Sequence, residues 1–182
     1  MKKMVLSILG EDRPGIVYAV SRVLFDLACN ILEVSQTILQ TEFAGIFIIA
    51  MPAELTAENL SAAMEKEMEP LGLKVGLKDF KVGGVPPAPK TEPFVITVRG
   101  EDRLGIIPGI TGVIAGFDIN IVNLKAIADL CVGSEVVIVF EVDIPDGANL
   151  AAFRAALQLK AEELNLEISI QHREIFEAIH RI

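Results

Sequence analysis

The 182-residue chain carries 16 Lys and Arg against 25 Asp and Glu, a net charge of −9, with 52% apolar residues and a mean hydropathy of +0.50. Phosphate backbones demand clustered cations and unpaired bases demand aromatic platforms, so a chain this acidic, with one Tyr and no Trp, is not expected to bind nucleic acid directly. The apolar residues fall in short runs, and the densest, Phe43 to Met51, is far short of the roughly 20 residues of a membrane helix; the excess reads as buried sheet and subunit contact.

The opening Met1-Lys2-Lys3-Met4 runs through a few apolar residues straight into Glu11 and Asp12, which is not a signal-peptide pattern, and a cytoplasmic location is expected. Residues 4–9 form a short β-branched run, a buried strand. From Pro14, apolar residues recur at Ile16, Val20, Val23, Leu24 and Leu27, which predicts a helix with proline at its first position, where the missing N–H costs nothing. Cys29 reads as a buried small hydrophobe, and so does Cys131, since no CxxC spacing links them to a metal or a redox role.

Residues 30–41 and 44–51 are two further strands, predicted to turn around Glu42 to Gly45. Thr56 caps a second helix carrying Leu60, Ala63, Met64, Met68 and Leu71, with Gly72 as its stop. Leu73 to Val82 supplies a last strand, with Leu73, Val75 and Leu77 on one side and Lys74 and Lys78 on the other. The span Gly83 to Pro93 holds four prolines and two glycines and reads as an extended linker.

After the linker the chain begins again. The twelve residues from Val5 and the twelve from Val95 share seven identities at an offset of 90, and the same register pairs Val23 with Val113, Asn30 with Asn120 and Ile31 with Ile121. The second copy predicts strands near 94–99, 120–130, 134–143 and 166–175, and helices near 104–117 and 148–164. Its first helix contains Pro108, Gly109, Gly112 and Gly116, so either tertiary packing holds it or a close neighbour demands small residues. The expected organisation is a first domain at 1–84, a Pro-rich linker at 85–92 and a second domain at 93–182. Each has the order βαββαβ, an α+β ferredoxin-like arrangement with an antiparallel sheet and both helices on one face.

The most repeated segment is a turn. Gly10-Glu11-Asp12-Arg13-Pro14-Gly15-Ile16 and Gly100-Glu101-Asp102-Arg103-Leu104-Gly105-Ile106 place glycines on both sides of an acid at a helix start. Unpaired helix N–H groups suit a carboxylate, glycines let a ligand approach the backbone, and Asp12 or Asp102 can face an ammonium group, so one loop offers partners to both ends of a free amino acid. The plainer alternative is that Asp12 is an ordinary helix cap and Asn30 an ordinary left-handed helix stop.

This loop resembles the signature loop of ACT domains, in both copies. Two such domains with no catalytic domain attached are similar to the glycine cleavage system transcriptional repressor family. The resemblance implies a non-enzymatic regulator that senses a small ligand, an amino acid such as glycine or serine, at interfaces between ACT domains. It implies a protein partner, a transcription factor among the candidates, and a homo-oligomer. The ligand contacts it implies are Gly10, Asp12, Arg13, Pro14, Gly15, Ile16 and Asn30 in the first copy. In the second they are Gly100, Asp102, Arg103, Leu104, Gly105, Ile106 and Asn120, with Leu104 departing from the usual proline. A ligand-free interaction scaffold is the alternative.

No catalytic set is visible: His172 and His180 match no ligand pair, Ser21 and Ser35 have no nearby histidine in sequence, and there is no GxSxG, Walker or GxGxxG pattern. No cofactor or metal is expected. Phe43 to Ile49 is faintly like the third strand of RNA-binding domains with the same βαββαβ order, but lacks their basic residue and aromatic spacing.

Overall fold

The structure, a computed structural model, describes residues 1–80, 90–128 and 135–180. The first strand, β1 (Lys2–Glu11), forms because its apolar residues alternate: Met4, Leu6 and Ile8 point into a core and are fully buried, while Ser7 and Leu9 are exposed. Helix α1 (Ile16–Asp26) buries Ile16, Val20, Val23 and Leu24 along one stripe against that face. Strands β2 (Asn30–Leu39) and β3 (Glu42–Met51) follow, then α2 (Ala57–Met68), a 3₁₀ turn at Glu69–Leu71, and β4 (Lys74–Asp79). Thr56 caps α2 as expected, its hydroxyl accepting from the Asn59 N–H at 3.2 Å, and Gly72 stops the turn in the left-handed region with φ of 71°.

The sheet order is β2-β3-β1-β4, with every pairing antiparallel. Phe47, Leu6, Leu24, Leu60 and Met64 meet between the sheet and its two helices, where each loses essentially all contact with water. The second half repeats this as β5 (Thr91–Glu101), α3 (Ile106–Gly116), β6 (Asn120–Ala128), β7 (Glu135–Pro145), α4 (Leu150–Glu163) and β8 (Glu167–His172), with order β6-β7-β5-β8. Its separate core gathers Ile96, Val98, Ile110, Phe140, Phe153 and Leu157. The chain divides into two units, Met1–Gly84 and Val85–Ile182. The α+β fold of two ferredoxin-like antiparallel units is therefore as the sequence indicated.

Four local expectations are corrected. Helix α1 starts at Ile16 behind an N-cap at Gly15, so Pro14 precedes the helix and does not open it. The left-handed residue after α1 is Ala28, with φ of 54°, and Asn30 already pairs with Ala50 in β2. The β2–β3 turn falls at Gln40 and Thr41, with φ of 55° at Gln40, and Gly45 lies within β3. The strand expected to reach residue 175 ends at His172 and turns into α5 (Arg173–His180), because Ile175, Phe176 and Ile179 keep helical spacing once the alternation of Ile168 and Ile170 stops. Most of the Pro-rich segment, Cys131, and the ends of the strands expected at 73–82, 120–130 and 134–143 lie outside the described residues.

Candidate functional site

In the first unit the repeated loop is anchored from two sides. The Asp12 N–H donates to the Thr41 carbonyl at 2.7 Å, tying the loop to the β2–β3 turn. The Arg13 guanidinium donates to the Leu71 carbonyl at 3.2 Å, tying it to the 3₁₀ turn that follows α2. Gly10 is required by close approach: a Cβ there would stand 2.9 Å from the Gly72 carbonyl oxygen. Gly15 is required by its backbone, which sits at φ of 98°. No side chain caps α1, so the reading of Asp12 as an ordinary helix cap is not supported, and its carboxylate is exposed to solvent.

The first intrahelical bond runs from the Ala19 N–H to the Gly15 carbonyl, at 2.9 Å. The N–H groups of Ile16, Val17 and Tyr18 precede it and have no partner within the helix. The second unit repeats the geometry, with Gly105 at φ of 96° and the Gly109 N–H bonded to the Gly105 carbonyl at 2.9 Å. There Pro108 removes one donor, leaving Ile106 and Ile107 to offer N–H groups at the helix start.

Beneath the second loop lies a cavity of about 350 Å³, within the roughly 300–1,000 Å³ of small-molecule pockets. Asp102, Arg103, Leu104, Ile107 and Ala126 line it and are exposed to solvent. Ile106, Val136 and Ile138 make its floor, each no more than 4% exposed. Five of the residues expected to bind ligand, Asp102 to Ile106, line this one space. Ala126, Val136, Ile138, Ile107 and Pro108 were not expected. The first three come from the neighbouring strands, and only the strand register, with Ala126 opposite Ile138 and Val136 opposite Gly100, brings them under the loop.

The asparagines lie elsewhere. Asn30 pairs with Ala50, which pairs with Lys3 at the start of β1, whereas the loop leaves the far end of that strand at Gly10. The seven steps along the strand from Lys3 to Gly10 amount to roughly 23 Å at about 3.3 Å per residue. Asn120 is placed likewise, opposite Asp143 and thus Pro93, seven residues from Gly100. No unit by itself brings its asparagine to its loop.

His172 and Cys29 have structural partners. His172 packs edge-on against the Phe94 ring at 5.3 Å between centroids and accepts from the Glu174 N–H. Cys29 is buried, and that burial pushes its thiol up, away from the reactive thiolate. Among the described residues no group of three or more His, Cys, Asp or Glu is placed to hold a metal ion, and no helix is long and apolar enough to cross a membrane.

The ACT domain family model matches the chain twice, over residues 2–78 and 92–171. A UPF0237 protein of Methanosarcina acetivorans is 35% identical over 89 residues, which span 49% of this chain and 95% of that protein, so that relative has the length of about one unit. Among solved structures, an unknown protein from Galdieria sulphuraria superposes with a TM-score of 0.74 at 24% identity, over 94% of this chain and 98% of that one. A candidate glycine cleavage system transcriptional repressor superposes with a TM-score of 0.64 at 20% identity, over 93% and 96%. At these identities the two structures establish a shared tandem fold.

Proposed function

Since the chain belongs to the ACT domain family through both of its units, we propose that it is a non-enzymatic regulatory protein that senses a free amino acid and acts through a protein partner. The observation that carries this reading is the cavity under the second repeated loop, where a carboxylate side chain, helix N–H groups and an apolar floor converge. Glycine and serine are the first ligands to test, given the fold shared with a candidate repressor of glycine cleavage. In this reading the domains are 1–84 and 93–182, joined by 85–92, and the partner is a DNA-binding protein, because a net charge of −9 opposes direct contact with DNA.

The reading also requires a complete site to be shared between copies of the chain. Strand β2 is an edge strand, and its Leu32, Val34, Ile38 and Leu39 are 45–74% exposed. An unpaired edge with apolar side chains is a template for another strand. Antiparallel pairing of two such edges sets the start of one second strand, with its asparagine, beside the end of the other, which adjoins the loop through the Asp12–Thr41 bond. This gives Asn30 a role that its own unit does not give it. The same exposed edges favour the second reading, a scaffold that binds a protein and no small ligand.

The test is calorimetric titration of the common amino acids against the native chain and the Asp12→Asn, Asp102→Asn double variant. A hydrogen bond to a charged group is worth about 1.5–3 kcal/mol, so ligand affinity should fall roughly 10- to 150-fold. Neither aspartate has been found capping a helix, so the melting temperature of the unliganded protein should not move. Unchanged affinity removes the aspartates from the site, and no binding by any amino acid leaves the scaffold reading.

A further inference from the structure

The two loops are nearly the same, but the strands beneath them are not. Strand register identifies the counterparts of the second unit's cavity walls in the first. Val136, opposite Gly100, corresponds to Phe43, opposite Gly10. Ile138, opposite Val98 and Ala126, corresponds to Gly45, opposite Ile8 and Gln36. Ala126 therefore corresponds to Gln36. In the first unit the Phe43 ring lies over Gly45, so close that a Cβ there would stand 2.9 Å from two of its ring carbons. The first unit thus presents an aromatic ring and a primary amide where the second presents two aliphatic side chains and a methyl group.

That difference sets what a ligand side chain would meet in the second unit. Apart from Asp102 and Arg103, every side chain lining its cavity is aliphatic: Leu104, Ile106, Ile107 and Pro108 from the loop and helix, and Ala126, Val136 and Ile138 from the strands. None of these seven side chains carries a hydrogen-bonding group to meet a ligand hydroxyl. A serine hydroxyl turned toward these side chains would find no partner among them, and glycine would leave the floor uncovered. A branched aliphatic side chain would cover Val136 and Ile138, and each added methylene buried in an apolar pocket commonly brings roughly tenfold or more in discrimination.

We propose that the second unit is selective for a branched-chain aliphatic amino acid, leucine, isoleucine or valine, over glycine and serine, and that the first unit does not share this preference. The inference rests on the amino-acid-sensing reading and narrows it for one site. The Ala126→Gln variant gives the second unit the residue of the first at an exposed position, where folding tolerates it.

The experiment is titration calorimetry of the full chain with leucine, isoleucine, valine, alanine, serine and glycine, repeated on the Ala126→Gln variant. The expected result is at least about tenfold tighter binding of one branched-chain amino acid than of alanine or serine, with one such site per chain. In Ala126→Gln that affinity should fall by a similar factor while the melting temperature of the unliganded protein holds. Equal or tighter binding of glycine or serine overturns the selectivity and leaves amino-acid sensing standing. Unchanged branched-chain binding in Ala126→Gln overturns the placement at this cavity. Silence from all six ligands overturns this inference, and silence from every common amino acid overturns the sensing reading as well.

Discussion

Gly15 and Gly105 sit at φ of 98° and 96°, a conformation that any residue with a Cβ adopts only under strain. Both have open space where a Cβ would go, so alanine there would meet no neighbour. Gly15→Ala isolates the backbone term: it should lower stability by about 1–2 kcal/mol, read as a lowered midpoint in urea at unchanged slope. A loss of under about 0.3 kcal/mol would show that the loop relaxes into another conformation. The need for glycine here was legible in the sequence, because the pattern repeats 90 residues later with both glycines kept. The cap was not legible. An acid just before a helical run looks like an N-cap, and only the observed φ at Gly15 moves the cap three residues beyond Asp12.

At the scale of elements, α3 posed a choice between tertiary support and close packing, and the structure divides its glycines between the two. A Cβ on Gly109 would stand 2.8 Å from Leu164 Cδ1, just past the end of α4, so that glycine sets how closely the two elements approach. Gly112 and Gly116 have nothing within 4 Å of the same position. Gly112→Ala should therefore stabilise the protein by roughly 0.5–1 kcal/mol, the helix-propensity difference, while Gly109→Ala should gain less or lose stability as Leu164 is displaced. Thermal unfolding of the two single variants distinguishes them, and equal gains would show that Leu164 moves freely. Periodicity exposed every strand and helix of the two units except α5, whose eight residues are too few for a helical period to outweigh the alternating run before them. The cavity walls were illegible for a related reason. Ala126, Val136 and Ile138 are ordinary strand residues until register sets them under the loop.

At the scale of the whole molecule, the high apolar content divides between two separate cores and what the units leave uncovered. Each core is complete around its own sheet and two helices, yet β2 keeps Val34 and Ile38 about half exposed on the helix side of the sheet, where the opposing Phe47 and Phe43 are buried. The helices thus cover the central strands and stop short of the edge. Burying an exposed aliphatic side chain yields about 1.5–3 kcal/mol, so an assembly that closes two such edges over each other gains from side chains the monomer leaves in water. The Val34→Lys, Ile38→Lys variant places two charges on this edge, a device by which edge strands resist pairing. Exposed substitutions usually change stability by less than about 0.5 kcal/mol each, so the unit should still melt cooperatively near its original temperature. Sedimentation velocity should then show the native chain associating at micromolar concentration and the variant running as a monomer. Amino-acid affinity should fall with the lost association, since the asparagine and the loop of one unit stand at opposite ends of its sheet. An unaltered oligomer would place the contact on another surface, and full affinity in a monomeric variant would confine the ligand to the loop and cavity of a single unit.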